Sequence, residues 1–190
     1  MTAVSIHQTA AAEVYLDRLR DESRGRVTFR DSLANITTLL MADALATLGD
    51  PAEVLLVPII RGGLGMVDGA LAAAPSATVG HIGVYRDPTT HDVVEYYSKI
   101  PELPGATAVL LDPMLATGGT AFAAAGSLAA AGYDHVHVAT VIASTTAIEL
   151  LSGSSAVRQI FTCAVDDGDP QVGALSNGLG DAGARLYGTP

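Results

Sequence analysis

An α/β fold with a mostly parallel central sheet flanked by helices is predicted by three features of the sequence. Short, continuous apolar runs recur along the chain, each bounded by turn residues, as strands covered on both faces require. Helical segments alternate with these runs, which calls for right-handed crossovers between parallel strands. Two runs feed straight into glycine-rich turns, at Arg61-Gly62-Gly63-Leu64-Gly65 and at Thr117-Gly118-Gly119-Thr120, each followed by a helical pattern.

Residues 1–12 carry no periodic signal and are expected to be mobile. From 13 to 48 the pattern is helical, with Val14, Leu16 and Leu19 first and then Leu33, Ile36, Leu40, Ala44 and Leu48 at spacings of three and four. Asp31 or Ser32 is the candidate cap of the second helix. The run Val54-Leu55-Leu56-Val57-Pro58-Ile59-Ile60 predicts a buried strand with Pro58 near its end. A helix through Met66, Val67 and Leu71 follows the first glycine turn. Further strands are expected over 78–84, 106–111, 136–142 and 160–163. Helices are expected over 120–131, closed by Gly132, and from a cap at Ser144 or Thr145 through Leu151. Ligands of such folds collect beyond the carboxyl ends of the strands, so the loops at Arg61, Tyr85, Asp112 and Cys163 should converge on one crevice. The stretches 86–104 and 164–190 show no periodicity, and aperiodic segments of that length serve as lids or binding segments.

A chain of 190 residues with 49% hydrophobic and 16% charged residues has material for one core and is expected to form a single domain. Twenty acidic against ten basic residues give a net charge of −10, which opposes broad contact with nucleic acid or an anionic membrane. A phosphorylated ligand would be held locally, by backbone N–H groups, a few arginines and a divalent cation. Cys163 is the single cysteine, so no intramolecular disulfide forms, and Ile160, Phe161 and Ala164 around it indicate an inert, buried strand end. With neither a leader-like N-terminus nor an apolar run near about 18 residues, a cytoplasmic protein is expected.

The segment Val109-Leu110-Leu111-Asp112-Pro113-Met114-Leu115-Ala116-Thr117-Gly118-Gly119-Thr120 has the parts of a phosphate cradle. A buried strand ends in a carboxylate. Glycines then let the backbone approach an anion, the first helical N–H groups donate to it, and Thr117 and Thr120 offer hydroxyls. Asp112 is placed to accept hydrogen bonds from vicinal sugar hydroxyls. The Gly-Lys-Ser/Thr ending of a kinase-type P-loop is absent. Arg61, at a strand end beside glycine N–H groups, suits a diphosphate. His135 and His137 would share one face of a strand, but no further Cys or carboxylate cluster completes a zinc site, and a structural role is expected. A Gly-x-Ser-x-Gly elbow is absent, and Cys163 lacks a His partner in the sequence pattern, so hydrolase chemistry finds no support.

From Asp112 to Thr120 the chain closely resembles the PRPP-binding loop of type I phosphoribosyltransferases, in the wording of their uracil branch. The resemblance extends to Pro58-Ile59-Ile60-Arg61-Gly62-Gly63-Leu64-Gly65, similar to the family's pyrophosphate loop, where Gly62 stands in place of the usual Ala. It extends also to Val84-Tyr85-Arg86-Asp87 through Lys99, similar to the segment that folds over pyrophosphate, and to Gly178-Leu179-Gly180-Asp181 near the end of the chain. It implies a type I phosphoribosyltransferase fold with a core over about 29–163, a lid over 85–104 and a C-terminal base-binding hood over 164–190. It also implies transfer of a phosphoribosyl group from PRPP to a nucleobase, uracil first, giving UMP in pyrimidine salvage. The PRPP site would comprise Arg61, Gly62, Arg86, Asp112, Met114, Leu115, Ala116, Thr117, Gly118, Gly119 and Thr120. Asp112, Arg61, Arg86 and Asp181 would carry catalysis. Ala174, Leu175, Ser176, Asn177, Gly180 and Asp181 would bind the base. Mg²⁺ would be bound mainly through PRPP, with no dedicated protein metal site, and the protein would be a homodimer.

Two departures bear on these expectations. Where the family has Gly-Tyr-Ile-hydrophobic-Pro before Gly-Leu-Gly-Asp, this chain has Gly173-Ala174-Leu175-Ser176-Asn177, so another heterocyclic base stays open as the acceptor. The family's Tyr-Glu-Ala before its dimerising β-arm appears as Ala42-Asp43-Ala44, and only a short link then reaches Val54. A non-catalytic, nucleotide-sensing regulator is the remaining alternative.

Overall fold

The computed structural model describes residues 2–48, 53–86, 93–103, 105–169 and 174–189. Its strands are β1 (Ala3–Ile6), β2 (Val54–Ile60), β3 (Thr78–Val79), β4 (His81–Arg86), β5 (Val93–Lys99), β6 (Thr107–Leu111), β7 (Met114–Leu115), β8 (Val136–Ser144), β9 (Val157–Asp166), β10 (Gly168–Asp169) and β11 (Ala174–Leu175). Its helices are α1 (Ala10–Arg20), α2 (Arg26–Leu48), α3 (Val67–Ala73), α4 (Gly119–Ala130), α5 (Thr145–Ser152) and α6 (Ala182–Tyr187), with a 3₁₀ turn at Gly62–Met66.

The main sheet runs β1-β9-β8-β6-β2-β4-β5, with β3 beside β2 and β7 beside β8. All of its pairings are parallel except β4 with β5, as the alternation of strands and helices requires. Period-two alternation divides each central strand between two cores. Val54 and Leu56 of β2 face the cluster with Phe29, Leu33 and Leu40 of α2, whereas Leu55, Val57 and Ile59 face the one with Ala121 and Leu128 of α4 and Leu151 of α5. Helices on both faces explain why these strands read as unbroken apolar runs.

The central elements follow the sequence closely; the edges do not. Residues 1–12, expected to be mobile, include β1, which pairs with β9 from Ala3 opposite Gln159 to Ile6 opposite Thr162. They also include the start of α1, which Thr9 caps by accepting from the Ala12 N–H at 3.2 Å. The second helix opens at Arg26, six residues before Ser32, so neither Asp31 nor Ser32 is its cap; Ser32 is buried inside it. The expected strand over 78–84 is split into β3 and β4. The last long strand extends from Val157 to Asp166, so Cys163 lies within it rather than at its mouth, where burial pushes the thiol up to about 12. The aperiodic stretch 86–104 contains β5, antiparallel to β4 and exposed along nearly its whole length. Ser144 caps α5, its hydroxyl accepting from the Ala147 N–H at 2.9 Å. Among the described residues no helix is long and apolar enough to cross a membrane.

Candidate active site

Strand β6 delivers Asp112 to the carboxyl edge of the sheet. Its amide continues the ladder by donating to the Ala139 carbonyl at 3.2 Å, and one carboxylate oxygen accepts weakly from the Met114 N–H at 3.4 Å. The chain then steps sideways, with the Pro113 carbonyl accepting from Val141 and Ile142, into the short β7 beside β8. Beyond β7, Gly118 has φ of 76° and precedes α4. A Cβ there would lie 3.0 Å from the Ala147 backbone, so glycine is required both for the turn and for the close approach of α5. Ser144 fixes the loop from behind, donating to the Ala116 carbonyl at 2.5 Å while it caps α5. A cavity of about 170 Å³ results, lined by Asp112, Met114, Leu115, Ala116, Thr117, Gly118, Thr120 and Ala121. Of the residues expected to hold PRPP, those of the 112–120 loop therefore stand together at the N-terminus of a twelve-residue helix.

Asp112 is only partly open to solvent. Burial raises its carboxyl to about 7, against which the Met114 N–H is a small opposing influence. Sugar hydroxyls donating to it would restore the solvation that the fold removes and draw it back to the anion.

Arg61 follows β2 across a cis peptide bond and opens the 3₁₀ turn. A Cβ on Gly62 would touch the Pro113 ring at 3.1 Å, and one on Gly63 would strike the Leu111 carbonyl oxygen at 2.2 Å. The Arg61 turn is thus packed against the Asp112 turn. The Arg61 guanidinium donates from Nη1 to the Thr189 hydroxyl at 2.8 Å. Gly183 leaves room between it and Asp181: a Cβ at 183 would lie 3.4 Å from Arg61 Nε and 3.3 Å from Asp181 Oδ1. Arg61 and Asp181, 120 positions apart in sequence, thus meet at one place. Asp181 caps α6, accepting from the Ala184 N–H at 2.8 Å.

The hood leaves the sheet at Asp166 and folds through the β10–β11 pair. Ser176, one of the departures from the family pattern, closes this hairpin: its N–H and its hydroxyl both donate to the Asp167 carbonyl, at 3.2 and 2.8 Å. Beneath the hood lies a cavity of about 270 Å³ lined by Leu175, Ser176, Asn177, Gly178 and Gly180, by Met114, and by Arg20 and Glu22. Four of the expected base-binding residues line it, and Asp181 follows directly; Ala174 pairs with Asp169 in the hairpin. Met114 is common to this cavity and the one along the 112–120 loop, so the two adjoin.

Arg20 and Glu22 were not legible as site residues. They come from the α1–α2 corner, and the cluster Arg18-Leu19-Arg20-Asp21-Glu22 at a helix end was the available signal. Arg86 ends β4 with its backbone opposite Val93; residues 87–92 of the expected lid lie outside the described residues. His137 is buried beside Phe161, with its pKa lowered to about 4 by burial, while His135 is exposed ahead of β8. Among the described residues no group of three or more His, Cys, Asp or Glu side chains could hold a metal ion.

A mostly parallel sheet with a glycine turn at a helix N-terminus after β6, an arginine turn after β2 and a C-terminal hood is the layout of the type I phosphoribosyltransferase fold. Comparisons with known proteins make this specific. Residues 47–189 match the family model described as uracil phosphoribosyltransferase. A uracil phosphoribosyltransferase of Dictyoglomus thermophilum is 39% identical, covering 92% of this chain and 93% of its own. One from Brevibacillus brevis is 38% identical, covering 90% and 91%. Among solved structures, a protein from Aquifex aeolicus superposes with a TM-score of 0.90 at 29% identity over 97% of both chains. A purine phosphoribosyltransferase from Pyrococcus horikoshii, at 13% identity and a TM-score of 0.55 over 72% of this chain and 84% of that one, shares the fold. The chain belongs to the uracil phosphoribosyltransferase family, a family of enzymes, and the regulator reading is set aside.

Proposed function

We propose that the protein transfers the 5-phosphoribosyl group of PRPP to uracil, forming UMP and pyrophosphate in pyrimidine salvage. The observation that carries this reading is the shared Met114 wall, which sets a phosphate cradle beside a cavity closed by the hood. A bond forms from the base nitrogen to the anomeric carbon as the bond from that carbon to the diphosphate oxygen breaks, through an oxocarbenium-like transition state, and the nitrogen loses its proton. Thr117, Gly118, Gly119 and Thr120 anchor the 5-phosphate at the start of α4, and Asp112 accepts from the ribose hydroxyls. Arg61, and Arg86 as the family resemblance implies, would stabilise the charge that develops on the leaving diphosphate. Asp181, which meets Arg61 across Gly183, would serve the base, or the metal and ribose. Rate derives mainly from positioning two reactants in adjoining cavities and from excluding water.

The residues present fit Mg²⁺ held largely by the substrate's own oxygens: Asp112 lines the cavity along the 112–120 loop and Asp181 stands beside Arg61, and either carboxylate would add an oxygen ligand. Asp112 is the protein group best placed to reach it; when bound, Mg²⁺ neutralises diphosphate charge. The reading further takes the chain as a single domain with a lid over 85–104 and a hood over 164–190. It also takes the protein to be a cytoplasmic homodimer, on family grounds and on its single, buried cysteine.

Another heterocyclic acceptor is the second reading, favoured by the exposed Ser176 and Asn177 in the hood. Pyrophosphate release from PRPP and Mg²⁺, with uracil, cytosine, other pyrimidines and small azoles supplied in turn, tests both. Turnover of uracil that Asp112→Asn abolishes supports the first reading. Turnover of a different base alone supports the second, and turnover with none refutes both.

A further inference from the structure

The corner between α1 and α2 grips the hood at both ends. At the exit, Arg185 lies over the Phe29 ring at 4.1 Å and donates to the carbonyls of Leu179 at 2.9 Å, Asp21 at 2.8 Å and Leu19. At the entry, Arg20, the last residue of α1, donates from Nη2 to Asp166 Oδ2 at 2.5 Å, with both side chains four-fifths buried. Asp166 is the last residue of β9, and Asp167 beside it supplies the carbonyl that Ser176 grips. Arg20 also lines two cavities: the one beneath the hood, and one of about 330 Å³ between α1 and the end of β9, lined in part by Glu13, Asp17 and Asp166.

We propose that the Arg20–Asp166 pair is a positioning latch: Asp166 fixes where the hood leaves the sheet by holding Arg20, and Arg20 lines the cavity beneath the hood, so that an N-terminal residue governs base binding. The inference rests on the phosphoribosyl-transfer reading above. A charge-assisted hydrogen bond between largely buried groups is among the stronger local constraints available to a fold. Between Asp166 and α6, the described regular structure is the two-residue pairing of β10 with β11. Releasing the latch frees the entry of the hood, while the Arg185 contacts still hold its exit and Ser144 and β8 hold the 112–120 loop.

Steady-state kinetics on the full chain, with base and PRPP varied separately, test the latch. Arg20→Ala and Asp166→Asn are each expected to raise KM for the base about tenfold or more, and KM for PRPP less than about twofold, as loss of a charge-assisted bond local to the hood requires. The double variant should be no worse than the singles, because each removes the same pair. Arg20→Lys should recover much of the loss, since an ammonium still reaches a carboxylate. Thermal melts check that each variant is folded, and if Arg20→Ala is not, Arg20→Lys and Asp166→Asn carry the test. Base and PRPP constants that rise together, additive singles, or a folded variant with an unchanged base KM would overturn the latch alone. A wild-type protein that fails to release pyrophosphate with any of the bases supplied overturns the parent reading, and this one with it.

Discussion

Adding one methyl group at Gly63 should unseat the arginine turn, whereas the same change one residue earlier should be tolerated. A Cβ on Gly63 would lie 2.2 Å from the Leu111 carbonyl oxygen and 3.1 and 3.2 Å from the Pro58 Cα and carbonyl carbon. All three are backbone atoms of β2 and β6, neighbours at the centre of the sheet, so no side chain can swing aside. Clearing the 3.0 Å that real Cβ atoms respect requires the turn to move about 0.8 Å from the strand end. Overpacking of this kind costs about 3 kcal/mol. For a domain of this size, that lowers the melting temperature by about 6–12 °C. At Gly62 the first obstacle is the Pro113 ring at 3.1 Å, which can yield a few tenths of an ångström, and Gly62→Ala should cost less than about 0.5 kcal/mol. Parallel thermal melts of Gly62→Ala and Gly63→Ala, with pyrophosphate release measured on both, make the comparison. A Gly63→Ala melt within about 2 °C of wild type would refute the packing argument, because the predicted shift is several times larger.

Two further outcomes follow from the same geometry. Because burial raises Asp112 to about 7, above its ordinary value of 3.8, the native state binds more protons than the unfolded chain between those values. Its contribution is therefore greatest below the lower value and is lost as pH rises through the upper one. Asp112→Asn should abolish activity yet gain stability over wild type by about 2 kcal/mol between pH 4 and 7.5, allowing for the carboxyl's partial access to water. Urea titrations across that range measure it, and a difference that stays flat with pH removes the buried carboxyl from the account. Ser144→Ala takes away both the α5 cap and the donor to the Ala116 carbonyl, and should cost about 1–2 kcal/mol. It should also raise KM for PRPP with little effect on KM for the base; equal effects on both would show that the loop is held some other way.

What the sequence alone determined is what local pattern can encode. The buried strands at the centre of the sheet announced themselves because helices cover both of their faces, leaving runs such as 54–60 and 107–111 without polar interruption. The turns at 112–120 and at Arg61 were legible as strand–glycine turn–helix units because consecutive residues specify them. Strands β1 and β5 were not, because an exposed edge strand is specified by pairing with a neighbour distant in sequence rather than by its own side-chain pattern. Nor could the start of α2 be placed at Arg26, which no side-chain cap marks. Only the tertiary structure decided that Ser176, a departure from the family's wording, serves to close the hairpin, and that Arg20 and Glu22 line the cavity beneath the hood. The physical reason is the same throughout. Contacts across about 145 residues, such as Arg20 with Asp166, depend on where the sheet puts the ends of α1 and β9, and no local periodicity carries that information.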